Sequence, residues 1–263
     1  MNFDLTIITV NKNNHKGLIN TLASIRNLEN NRKMHHLIVD GNSQDLPEDF
    51  NQLQSRFNFD YISEVDFGIY NAMNKGIVNV SSDYVVFLNS GDSFYNYKSL
   101  EILEQNLNNL DLVYGDIMDL GQSSPVLVTY PNKLSLEYML CGGLPHQATV
   151  IKKNLFNKVG LYNENYKIIS DWVFFMEALF FHNATYKHVP YVISNFEGGG
   201  ISSKSVYIKQ IVYEQMDYIS KRFPQSMSYY CLNSPYVKKY LRQKPRFIRW
   251  FFKFIILKFN KVY

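Results

Sequence analysis

The chain has 263 residues, 46% of them hydrophobic, and a formal net charge of +4. That length suits one large domain, or one domain with an appendage, and the apolar content builds a full core, which excludes a disordered or low-complexity protein. Its two cysteines, Cys141 and Cys231, lack CxxC spacing, which excludes a disulfide framework and a thiolate zinc centre. No run reaches the roughly 18 apolar residues of a membrane span, and the opening MNFDLTIITV reads as a strand rather than a secretory leader. The charge is uneven: residues 236–263 hold nine Lys and Arg and no acidic residue, while the remainder holds 18 basic and 23 acidic residues.

Residues 5–10 read as a first buried strand, followed by the polar loop Asn11-Lys12-Asn13-Asn14. Leu18, Thr21, Leu22, Ile25 and Leu28 recur at helical spacing. Leu37-Ile38-Val39 is a second strand, ending in Asp40-Gly41-Asn42-Ser43; residues 53–57 close a helix and residues 59–63 form a third strand. Residues 63–93 carry the densest signal. Glu64, Asp66 and Gly68 precede a helical face of Ile69, Ala72, Met73, Gly76 and Ile77, and a buried-strand run at 84–88 stops at Asn89-Ser90-Gly91-Asp92. That tetrad is either a binding loop or an ordinary turn, since all four residue types form turns. The strand–helix alternation predicts a parallel sheet with crossover helices. Polar loops after Val10, Val39, Ile62 and Leu88 then meet at one sheet edge, where open parallel sheets bind ligands.

Further on, Leu112-Val113-Tyr114 reads as a strand ending at Gly115-Asp116, and residues 117–130 as a hairpin region. Leu144-Pro145-His146-Gln147 precedes a strand at 148–151, and Asn154 starts a short helix. Ser170 is the predicted N-cap of a helix over 170–181, with Asp171 in its first turn. A strand at 191–196 leads into the glycine loop 197–200, and an amphipathic helix follows at 205–223.

Taken together, TIITVNKNN, IVDGNSQD, SEVDFGIYNAMNKGI, VVFLNSGDSF, LPHQATVIKKNLFNKVGLYNENYKIISDW and GGGIS resemble the successive motifs of family 2 glycosyltransferases. The likeness, over about residues 3–203, is to bacterial enzymes of capsule, exopolysaccharide and O-antigen synthesis, such as the colanic-acid type. The resemblance implies an α/β GT-A fold, Rossmann-like with a mostly parallel central sheet. A nucleotide-binding half would cover about 1–116, an acceptor half about 117–203 and a helical extension 204–263. The implied activity is inverting transfer of a sugar from a nucleotide-diphosphate sugar to a hydroxyl of a lipid-linked glycan, with Mg²⁺ or Mn²⁺ at the seam. The implied setting is cytoplasmic, peripheral on the inner face of a bacterial plasma membrane. Nucleic acid is not an expected partner, and a homo-oligomer stays open.

By the same resemblance, Thr9, Val10, Asn11, Lys12 and Asp40 hold the base and ribose, and Asp66 contacts the nucleotide or supports the metal loop. Asn89 faces ribose or metal-bound water, and Asp92 is the metal ligand. Without the resemblance, Asp40 before Gly41 is an ordinary turn residue. Family members carry Asp-x-Asp after the fourth strand. This chain keeps one carboxylate there, so substrate phosphates and water are expected to complete the cation's shell. It also has Asn71 where the related GIYDAMNKG form has Asp. Asp171 matches the family's base, although an Asp in a first helical turn can equally serve the helix dipole. His146 and Trp172 are expected on the acceptor side, with core filling the other reading of Trp172. The depleted acidic element supports an alternative, a non-catalytic nucleotide-sugar- or glycan-binding subunit that keeps the fold.

Arg242 and, within the C-terminal QKPRFIRWFFKFIILKFNKVY that follows it, Arg246, Arg249 and Lys253 recur at steps of three or four along one helical stripe. Phe247, Ile248, Phe251, Phe254, Ile255 and Phe259 cover much of the rest. Such a helix suits an anionic membrane surface; packing on its own domain or on a second subunit is the competing reading.

Overall fold

β1 (Leu5–Asn11) is buried at every position, as a parallel strand covered on both faces must be. The computed structural model describes residues 4–26, 28, 35–46, 50–198 and 205–245; the basic tail from Arg246 onward and Gly199-Gly200 lie outside the described residues. After β1 come α1 (His15–Arg26), β2 (His35–Asp40), α2 (Phe50–Phe57), β3 (Asp60–Ser63), α3 (Ile69–Asn79) and β4 (Tyr84–Phe87). β3, β2, β1 and β4 pair in parallel in that order, so their carboxyl ends share one edge, as the loop pattern predicts.

The sheet then becomes mixed. It continues through β5 (Ser93–Phe94), α4 (Ser99–Gln105), β6 (Leu112–Asp119), β7 (Val126–Val128), α5 (Leu136–Cys141), β8 (Thr149–Lys152), α6 (Lys153–Val159), α7 (Ser170–Phe180) and β9 (Tyr186–Phe196). β8 joins β4 antiparallel, β6 joins β8 antiparallel, and β9 runs parallel to β6. The described residues thus form a nine-stranded sheet of order β3-β2-β1-β4-β8-β6-β9-β5, with β7 folded back on β6.

Period two divides β1 between two layers. Leu5 and Ile7 pack with Ile25 of α1 and with Leu100 and Leu103 of α4. Ile8 and Val10 pack on the other face with Tyr70, Met73 and Ile77 of α3 and with α7. That second core extends into α8 (Ile208–Arg222), α9 (Met227–Asn233) and α10 (Pro235–Arg242), through Ile211, Tyr218, Ile219, Tyr230, Cys231 and Val237. The chain up to α10 is therefore part of the body. Among the described residues no helix is long and apolar enough to cross a membrane, and both cysteines are free.

Several elements differ from the sequence reading. β6 does not stop at Gly115-Asp116. The register against β9 shifts there, and the ladder resumes to Asp119. β9 starts at Tyr186 rather than Tyr191; in its first half only Val189 is buried, with Lys187 and Pro190 exposed. Ser170 is not the cap of α7. Ile169 occupies that position, and the buried Ser170 Oγ has no partner. Tertiary bonds set the helix start instead: the Ile168 carbonyl lies 2.7 Å from the Tyr70 hydroxyl, and its N–H donates to Glu214 Oε2 at 3.1 Å. The predicted helix at 205–223 is α8 preceded by a 3₁₀ turn at Ser205–Tyr207.

Candidate active site

The parallel register sets Asn11 opposite Asp40 and Asp40 opposite Ser63. Asp40 is fully buried, accepting from the Asn11 amide at 2.7 Å, the Ser43 N–H at 2.7 Å and the Ser43 hydroxyl at 2.6 Å. Gly41 follows because Asp66 leans over the end of β2. A Cβ at position 41 would sit 1.9 Å from Asp66 Oδ2. Asp66 accepts from Lys12 Nζ at 3.0 Å and from the Gly68 N–H at 3.1 Å.

A cavity of about 1170 Å³ opens above this edge, lined by Val10, Lys12, Asp66, Asn89, Asp92, His146, Asp171 and Trp172. Five donor and metal candidates thus share one wall system with the three acceptor-side and base candidates. Thr9, Asn11 and Asp40 stand behind it. The Thr9 hydroxyl points to the opposite face, 2.9 Å from His36 Nε2, where burial pushes the His36 imidazole down to about 3.

The loop after β4 turns at Gly91, whose φ of +112° lies where side chains are disfavoured. A Cβ there would also come 2.9 Å from Glu197 Oε2. The Asp92 N–H donates to the Asn89 carbonyl at 2.9 Å, and the Thr21 hydroxyl accepts the Gly91 N–H at 3.0 Å. Asp92 points inward, 7% exposed, and its Oδ1 accepts the Glu197 N–H at 3.4 Å. Burial pushes the Asp92 carboxyl up to about 6; the charge of His146 and the Glu197 amide oppose this, and the Glu197 charge adds to it. Among the described residues no group of three or more His, Cys, Asp or Glu could hold a metal by itself. Asp92 and Glu197 do offer hard oxygen ligands beside the buried, unpartnered Asn89 Oδ1. This set fits Mg²⁺ or Mn²⁺ whose shell is completed by phosphate oxygens.

Across the cavity, Asp171 lies in the first turn of α7. Its Oδ1 lies 2.7 Å from the Tyr70 hydroxyl and its Oδ2 3.2 Å from His146 Nδ1. The Asp171 and His146 side chains keep 20% and 19% exposure, enough for a substrate to reach them from the cavity. Burial opposes charge on Asp171, but the His146 hydrogen bond and charge, with the Tyr70 hydroxyl, outweigh it and hold the carboxyl below its usual range. Burial likewise opposes the imidazolium of His146, and the Asp171 bond and charge, with Asp92, lift it above its usual value. Trp172 is 6% exposed, donates its indole N–H to the Met139 carbonyl at 2.7 Å and stacks edge-on to Tyr218.

Tyr70, Glu197 and Glu164 are not among the residues expected from the sequence. Tyr70 sits on the apolar face of α3, where an aromatic reads as core. Glu197 could have been found by the rule applied to Asp92, a carboxylate just past an apolar strand. Asn71 and Asn74 donate to Glu164 at 3.1 and 2.9 Å, clamping the loop before α7 onto α3. Lys75 bonds Glu64 Oε2 at 3.0 Å and the Val65 carbonyl, bracing the Asp66 loop.

Residues 6–156, more than half of the chain, match the family model described as Glycosyl transferase family 2. The chain belongs to this family. It is 29% identical over 180 residues to the uncharacterized glycosyltransferase Rv1514c of Mycobacterium tuberculosis, covering 66% of this chain and 68% of that one. It is 26% identical over 148 residues to a PGL/p-HBAD biosynthesis glycosyltransferase of Mycobacterium bovis, covering 54% of this chain; it spans a little over half, 56%, of that relative's length. In fold it is similar to S. aureus TarS solved with UDP-GlcNAc, with a TM-score of 0.63 at 14% identity over 92% of this chain and 73% of that one. It is similar to the Pyrobaculum calidifontis mannosyltransferase PcManGT solved with GDP-Man and Mn²⁺, with a TM-score of 0.63 at 11% identity over 100% of this chain and 76% of that one. This family 2 glycosyltransferase thus has the GT-A fold, and its relatives are glycosyltransferases.

Proposed function

We propose that this glycosyltransferase moves a sugar, with inversion, from a nucleotide-diphosphate sugar to a hydroxyl of a lipid-linked glycan in bacterial surface-polysaccharide synthesis. The observation that carries the reading is the pair of inward carboxylates on one cavity, Asp92 on the loop after β4 and Asp171 at the start of α7. The fold neighbours support the donor class, since TarS is described with UDP-GlcNAc and PcManGT with GDP-Man and Mn²⁺.

The nucleotide lies along Val10, Lys12 and Asp66, with Asn11 and Asp40 setting the wall behind and Thr9 fixing the strand beneath. Asp92, with Glu197, would hold Mg²⁺ or Mn²⁺, which supplies charge neutralisation to the departing diphosphate. Asn89 faces the same loop. The acceptor enters on the side of His146 and Trp172. A carboxylate oxygen of Asp171 takes the proton of the acceptor hydroxyl as the hydroxyl's own oxygen bonds the anomeric carbon. The bond from that carbon to the diphosphate breaks, and its electron pair leaves with the phosphate. One displacement of this kind inverts the centre. The basic tail supports work at an anionic, cytoplasmic membrane face, where a lipid-linked acceptor resides.

Calorimetry with a panel of UDP- and GDP-sugars, with and without Mn²⁺, followed by a turnover assay on those that bind, tests this reading. Saturable binding with release of the nucleoside diphosphate is the expected result. Binding with neither hydrolysis nor transfer would favour the non-catalytic binding subunit, the reading supported by the Asn89-Ser90-Gly91-Asp92 element.

A further inference from the structure

His146 opens a short 3₁₀ turn, His146–Ala148, wedged between Pro145 and β8. The Ala148 N–H donates to the Pro145 carbonyl at 3.0 Å, the Thr149 hydroxyl to the same carbonyl at 2.7 Å, and Gln147 and Ala148 are buried. The backbone that carries the ring is therefore fixed. Its two nitrogens reach in different directions, Nδ1 to Asp171 Oδ2 at 3.2 Å and Nε2 to Asn89 Nδ2 at 3.1 Å. A carboxylate only accepts, so Nδ1 carries a proton. With the Asn89 amide as oriented, Nε2 is the acceptor; with the amide turned over, the ring is an imidazolium. Nδ1 donates to Asp171 in both cases.

No ring nitrogen is then left for a sugar hydroxyl. We infer that His146 is a positioning residue, whose imidazole holds the Asp171 carboxylate at one nitrogen and ties it, through Asn89, to the donor-side loop at the other. The inference rests on the reading of Asp171 as the base. Tyr70 fixes the other oxygen of the same carboxylate at 2.7 Å, so the plane of the base is set from two sides while the side chain keeps part of its surface on the cavity. Such orientation matters because displacement of a reacting group by about 1 Å costs on the order of 10²-fold in rate. The Asn89 carbonyl accepts the Asp92 N–H at 2.9 Å. A donor-induced shift of the Asn89–Asp92 loop therefore reaches the base through a single ring.

Three variants separate the two arms of the ring. An Asn side chain reproduces the Nδ1 donor, a Gln side chain reproduces the Nε2 position, and Ala removes both. With the UDP- or GDP-sugar that the wild-type chain consumes, H146A and H146Q should lose on the order of 10²-fold in kcat, with donor KM within about threefold of wild type. H146N should recover at least about tenfold of that loss. Long-range ¹⁵N NMR of the full chain without substrate, with labelled histidine and the His146 signal assigned by its loss in H146A, should show Nδ1 protonated. An Nε2-only proton would overturn the inference. So would recovery by H146Q and not H146N, or wild-type kcat in H146A while D171N is inactive. If D171N also turns over normally, the base reading itself falls.

Discussion

The Tyr70 hydroxyl stands 2.7 Å from Oδ1 of Asp171, joining α3 to the first turn of α7. α3 thus performs two tasks. Its amino end follows the Asp66 loop at the edge where the parallel strands end, and its inner face holds the carboxylate on the opposite side of the cavity. The same hydroxyl lies 2.7 Å from the Ile168 carbonyl, so it also fixes where α7 begins. Removing it as Tyr70→Phe should lower stability by about 2 kcal/mol, the scale of a buried hydrogen bond to a charged group. On the proposed mechanism, kcat should fall by about tenfold as the Asp171 carboxylate loses one of its two restraints. Urea denaturation and turnover, measured on the same preparation, check both.

Asn71 has a physical account that its sequence neighbourhood does not supply. Its amide donates to Glu164 Oε2 at 3.1 Å, so an Asp at this position would set two carboxylates against each other. Asn71→Asp should destabilise the fold by about 1–2 kcal/mol, and pairing it with Glu164→Gln should restore most of that loss. A double-mutant cycle on unfolding free energies reads the coupling directly, and additive losses would contradict it.

The His146–Asp171 pair gives stability a defined pH window. His146 is raised above its ordinary 6.5, so its contribution is complete below that value and fades as pH rises through the raised one. Asp171 is held below its ordinary 3.8, so its contribution is complete above that value and fades as pH falls through the lowered one. The Tm difference between wild type and His146→Ala should be largest between about pH 4 and 6.5 and shrink on either side. A difference flat across pH 3–9 would contradict the charged pair.

Much of this fold is legible in the sequence, because parallel strands buried on both faces leave continuous apolar runs, and their polar ends all fall at one edge. Asp40 and Asp92 stand at or just past such strand ends, whereas Asp171, in the first turn of a helix, is marked only by the family resemblance. What the sequence hides are partners set by tertiary contact. Tyr70 and Trp172 look alike as aromatics on apolar helix faces. One offers its hydroxyl to the Asp171 carboxylate, while the other gives its indole N–H to the Met139 carbonyl. Ser170 has the chemistry of a cap but lies inside the helix, because bonds from Tyr70 and Glu214 to Ile168 fix the entry instead. β6 was hard to follow past Gly115-Asp116 because a register shift resembles a strand end.

The placement of α10 dictates how the tail should be tested. Val237 is fully buried in the main core, so truncation at Pro235 would strip a packed helix and confound any binding result. A chain ending at Pro245 removes only residues beyond the described body. In sedimentation with anionic phosphatidylglycerol vesicles, the full chain should pellet and the shortened one should stay in solution with an unchanged Tm. Equal pelleting would remove the membrane role of the tail.

The central claim is that Asp171 takes the acceptor's proton while the donor is held elsewhere on the same cavity. The direct measurement is turnover of Asp171→Asn beside its donor affinity by calorimetry. The expected result is a loss of at least about 10²-fold in kcat with donor affinity close to wild type. Near-normal turnover with intact donor binding would contradict it.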